Sequence, residues 1–112
     1  MSRRIDDRPG KELGLTGRYA DIPAFQIIND AHDLFLLLTS RLVSLEYGSD
    51  GDVVKSHPLW SAIDMEMSGL AGRLSALGGD AVRAAALSEE IRRLDETVDG
   101  LVTAANAEGF HG

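Results

Sequence analysis

The sequence predicts an all-α fold: an antiparallel helical hairpin plus a third long helix, dimerising into a helical bundle. Three observations predict it. Apolar residues recur three and four apart through three long segments. No segment alternates apolar and polar residues as a half-buried strand does, and no strand–helix–strand unit is present. With 112 residues, 44% hydrophobic and 26% charged, the chain has the size and composition of one soluble core-forming domain rather than a disordered segment.

The first helix is expected over about residues 22–47, with Asp21 as N-cap and Pro23 in the first turn. Ile28, Ala31, Phe35, Leu38, Leu42 and Leu45 share one face of it. Leu36 and Val43 widen that face on one side and Leu34 on the other, so the helix needs more than one neighbour. After Gly48 the segment to Pro58 contains turn-forming residues and reads as a loop. The second helix, about 58–77 and capped by Ser56, carries Leu59, Ile63, Met67, Leu70, Leu74 and Leu77 inward. Gly69 and Gly72 weaken it and offer a place for close helix approach. Gly78 and Gly79 stop it, and Asp80 caps a third helix over about 81–106. There Leu87, Ile91, Leu94, Val98, Leu101 and Ala105 follow the alternating four-and-three spacing of a coiled-coil seam. The helical domain thus spans 21–107, and 108–112 form a frayed C-terminus.

Charge separates the ends from the body. Eleven basic and eighteen acidic side chains give -7 overall. Residues 1–20 hold five basic and three acidic groups, net +2, while the remainder holds six and fifteen, net -9. With Pro9 and glycines at 10, 14 and 17, residues 1–20 read as a flexible basic N-terminal arm. The acidic body repels phosphate, so nucleic acid is not the expected partner. Absence of cysteine excludes disulfides, a cysteine nucleophile, iron–sulfur clusters and thiolate zinc. The longest apolar run, Leu34 to Leu38, falls far short of a membrane span, and MSRRIDDRPG lacks an apolar leader, so a cytoplasmic protein without a membrane partner is expected. No phosphate-binding GxxxxGK[ST] or GxGxxG motif occurs, and no cofactor is expected.

Few residues are suited to chemistry. His57, before Pro58, reads as part of a helix cap, and His111 lies in the terminal GFHG. His32, His57, Asp64 and Glu66 are a conceivable metal set, but without an HExxH or ExxH pattern no metal site is predicted. His32 differs. It stands about 60° from Phe35 around the first helix, at the edge of the apolar stripe, where a ring leans on the bundle and keeps one nitrogen in water. Asp33 follows it. A carboxylate beside an exposed imidazole orients the ring or raises its basicity, favouring attack on a transferable phosphoryl group. His32 and Asp33 are therefore the candidate catalytic pair. The plainer account is a helix-edge histidine beside an ordinary solvated aspartate.

The segment AHDLFLLLTSRLVSLE, residues 31–46, resembles the phosphoacceptor box of sensor histidine kinases. His32 and Asp33 match the phosphorylated histidine and the acidic residue after it, and Leu37, Leu38 and Thr39 match the following apolar pair and threonine. In outline the resemblance extends over residues 24–77. It implies a dimerising helical hairpin with an exposed histidine, and a response-regulator receiver domain or a histidine kinase as partner. Phe35 and Leu36 stand where such boxes usually carry polar residues. The family's polar residue four after the histidine helps position water for phosphatase action, so Leu36 implies poor dephosphorylation by that route. Residues 80–112 cannot hold an ATP-binding domain, so phosphate would arrive from another protein. The function expected is a histidine phosphotransfer-type signalling protein that receives or relays a phosphoryl group. The alternative is a non-catalytic dimeric helical adaptor binding a protein partner, which needs only the apolar stripes.

Overall fold

The computed structural model describes residues 6–109, with side chains to residue 107. Four helices follow in order: α1 (Ala24–Glu46), α2 (Gly51–Ser56), α3 (Pro58–Ser75) and α4 (Ala81–Gly109). No strand forms among the described residues; the single extended pairing is an isolated bridge between Pro9 and Pro23. The all-α class predicted from the apolar periodicity is therefore the observed one.

Helix α4 is the spine. All six residues of its predicted seam are buried, joined by Ala81, Ala84, Ala85 and Ser88. α1 lies along one flank of α4 and α3 along the other, while α1 and α3 make little contact with each other. Tyr19 reaches Glu89 and, farther along, Arg41 bridges Asp95 at 2.7 Å and also Asp99, so α1 runs in the same sense as α4. The short 76–80 connection makes α3 antiparallel to α4, with Arg73 pairing Glu90 at 2.6 Å. The closely packed hairpin is therefore α3–α4, not the pairing of the first two predicted helices. Ala24 and Ala31 on α1 and Ala84 and Ala85 on α4 are all buried, and side chains this small suit the extensive contact of α1 with α4. On the side toward α3, α1 presents the bulkier Phe35 and Leu42. The result is extended, 62 × 28 × 18 Å with a radius of gyration of 17.0 Å. A compact chain of this length has about 13 Å.

The buried line of α1 is rotated from the predicted stripe. Ala24, Ile27, Ala31 and Leu38 are buried, whereas Ile28, Phe35, Leu42 and Leu45 are only partly so. Its N-cap is Pro23 rather than Asp21, without a side-chain bond. Part of the expected 47–58 loop is helical, because Val54 is buried and α2 packs against both α1 and α4. The cap of α3 is His57, whose Nδ1 accepts from the Leu59 amide at 3.1 Å, and Ser56 instead bonds the Val53 carbonyl. Asp80 accepts from the Arg83 amide at 3.0 Å, the capping role expected of it. A Cβ on Gly69 or Gly72 would meet nothing within 4 Å, so neither glycine serves a close helix contact.

The largest departure lies before α1. Residues 1–5 are outside the described residues, but 6–22 do not form a flexible arm. Two short 3-10 turns, Gly10–Leu13 and Gly17–Tyr19, fold back on α1 and α4. Amides of Gly10 and Lys11 donate to the carbonyls of Ile22 and Ala20, each at 2.9 Å, and Leu13, Leu15 and Tyr19 pack on the core. Glycine provides the geometry rather than looseness. A Cβ on Gly10 would stand 1.9 Å from the Tyr19 carbonyl oxygen, and Gly14 closes the first turn at φ 86°. Tyr19 then donates its phenol hydrogen to Glu89 at 2.6 Å. Burial, then the bond to Glu89, push the Tyr19 phenol up, and that bond holds the Glu89 carboxyl down, helped by Arg18 and Arg92. At the other end, α4 continues through Gly109, beyond the predicted boundary, and His111 lies outside the described residues.

Candidate functional site

His32 and Asp33 are both exposed on α1. Successive helical residues point about 100° apart, and no side-chain hydrogen bond or ion pair joins these two or ties either side chain to a described residue. The imidazole thus has the solvent access that phosphoryl transfer requires, without a partner that fixes its orientation. Of the residues matched to the phosphoacceptor box, Leu38 is buried, Leu37 is 68% exposed, and Thr39 donates to the Phe35 carbonyl at 2.9 Å. Among the described residues no three His, Asp or Glu side chains gather into a metal-holding group, so His32, His57, Asp64 and Glu66 are not brought together.

The more developed feature is a groove between α1 and α3, a cavity of about 310 Å³. It exists because both helices lean on α4 far more than on each other. One wall is built by Phe35, Thr39, Leu42, Val43 and Glu46, which recur three, four and seven apart and so share a strip of α1. The opposite wall is built by Trp60, Ile63, Asp64, Met67 and Ala71 of α3, with Ser68 at its edge. The floor is apolar, and a carboxylate stands on each wall. Neither Glu46 nor Asp64 pairs with a described cation, and no basic residue lines the groove.

Exposed apolar side chains continue the groove over the outer side of α1: Leu36 at 61%, Val43 at 49% and Tyr47 at 79%. Grouped apolar exposure of this kind marks contact surfaces more often than isolated exposed residues do. His32 belongs to the same strip, about one turn before Phe35 at the end of the groove. The sequence contained a sign of this surface in Leu36 and Val43, which make the apolar stripe of α1 too wide for one neighbour. Trp60 and Ala71 carried no comparable sign, because their role follows from the spacing of two helices set by a third.

No family model, curated protein or solved structure matches the chain. The likeness to histidine-kinase boxes therefore rests on the residues of the 31–46 segment alone. Among the described residues no helix is long and apolar enough to cross a membrane.

Proposed function

We propose that this chain is a non-catalytic helical adaptor that takes up a protein partner along α1 and α3. The observation supporting it is the open apolar groove, continued outward by Leu36, Val43 and Tyr47. A polypeptide laid there removes that surface from water, which is the main favourable term in protein association. The extended shape of the subunit adds support, because a partner supplies the cover that α1 and α3 do not give each other. The homodimer expected from the sequence would use the same principle, with a second copy as the cover.

The test is affinity capture from the native cell with wild-type protein and with Val43→Asp, a change at a half-exposed position that leaves the core intact. A specific partner retained by the wild type and lost by the variant supports the adaptor. Equal retention by both excludes this surface. Phosphotransfer stands as the second proposal because His32 is exposed on α1. Incubation with a phosphorylated receiver domain or kinase hairpin would leave acid-labile label that His32→Gln removes. Label that persists in His32→Gln excludes His32 as the acceptor.

A further inference from the structure

We infer that the occupant of the α1–α3 groove is a basic amphipathic helix of a partner protein, an inference that rests on the adaptor proposal above. Three properties of the groove select this chemistry. From Phe35 to Glu46 its α1 wall spans about 16 Å, or about three helical turns. That length accepts apolar anchors at positions i, i+4 and i+7 of an incoming helix, a recurring mode of helix-in-groove recognition. The apolar floor supplies the area for those anchors.

Charge then selects among helices. Glu46 on one wall and Asp64 on the other pair with no described cation, and no basic residue lines the groove. Lysines or arginines flanking the apolar stripe of a bound helix would meet both carboxylates. A second copy of this chain is disfavoured by the same groups. In a two-fold dimer closed groove to groove, neither copy would bring a basic residue to the other's carboxylates, and each copy carries a net charge of -7.

The experiment uses the full chain and three helical peptides of about five turns, with blocked ends and no aromatic residues. They share one leucine stripe and differ only in the flanking residues, which are Lys, Gln or Glu. Trp60 is the only tryptophan in the chain and lines the groove, so its emission reports occupancy. The Lys peptide should shift Trp60 emission and bind about tenfold more tightly than the Gln peptide, while the Glu peptide should not bind. Glu46→Gln and Asp64→Asn should each weaken the Lys peptide about threefold, the size expected of partly exposed charge pairs, and leave the Gln peptide unchanged. Equal affinity for the Lys and Gln peptides overturns the basic-helix inference while the adaptor proposal stands. If no peptide moves Trp60, helix docking in this groove fails and takes the inference with it. Sedimentation showing a wild-type dimer that Val43→Asp dissociates assigns the groove to a second copy and also overturns the inference.

Discussion

The two flanks of α4 are packed in different ways. On the α1 flank, alanines allow a close approach, the segment before α1 folds over the contact, and Arg41 ties the two helices together through Asp95 and Asp99. On the α3 flank the contact is made by Ile63, Met67, Leu70 and Leu74, with open space over Gly69 and Gly72 and one charged tie, Arg73 to Glu90. Small side chains at one contact and large ones at the other place three helices unevenly. The groove between α1 and α3 is the result of that unevenness, so a surface suited to binding follows from how the core is divided.

Leu38→Asp should have the largest effect. Leu38 is 3% exposed, and an ionised carboxylate held there would cost several kcal/mol, enough to abolish the cooperative thermal transition followed by circular dichroism. The contrast between packing on α4 and the open groove it leaves is tested more directly by one substitution made in two places. Ala84→Leu, at a fully buried position of α4, should destabilise by about 1–3 kcal/mol in urea titration, because a buried alanine site has no room for the added carbons. Ala71→Leu, in the groove wall, should change stability by less than about 0.5 kcal/mol. Equal losses at the two positions would remove that contrast.

Gly72→Ala should act in the opposite direction. With nothing near the added Cβ, better helix propensity should raise stability by about 0.8–1 kcal/mol. Ser88→Ala should also stabilise, by about 1 kcal/mol, since the buried Ser88 hydroxyl has no hydrogen-bond partner among the described residues. The smallest effect is the pH dependence of the segment before α1. Lowering of the Glu89 pKa gives a contribution present above the unfolded carboxylate value and lost as pH falls through the folded one. Raising of the Tyr19 pKa gives a contribution present below the unfolded phenol value and lost as pH rises through the folded one. Chemical shifts of Leu15 and Tyr19 should therefore move together at both extremes, and Tyr19→Phe should remove the alkaline step.

Legibility in the sequence followed the range of the interactions. The α4 seam from Leu87 to Ala105 was fully legible, because a residue that keeps one face toward the core repeats with helical period whatever covers it. The same logic located α1 but misjudged its buried line. The predicted stripe held the buried Ala31 and Leu38, but it missed the buried Ala24 and Ile27 and placed inward Phe35 and Leu42, which are only partly buried. Glycines at 10, 14 and 17 have two opposite uses, in loose linkers and in tight turns, and only contacts with the distant α4 distinguish them. Of the candidate site, the edge position of His32 was legible and matches its exposure. The groove was not, since Trp60 meets the α1 wall only after α4 has fixed the distance between α1 and α3.

The parallel course of α1 and α4 also sets an order of events during synthesis. Arg73 and Glu90 are 17 residues apart, whereas Arg41 and Asp95 are separated by 54 and Tyr19 and Glu89 by 70. The α3–α4 pair closes a short loop and forms at little entropic cost, while the partner of α1 is made only after α2 and α3. At ordinary elongation rates α1 waits on the order of several seconds with its apolar side uncovered. During that interval the face of α1 that packs on α4 is open to chaperones and to other copies of the chain.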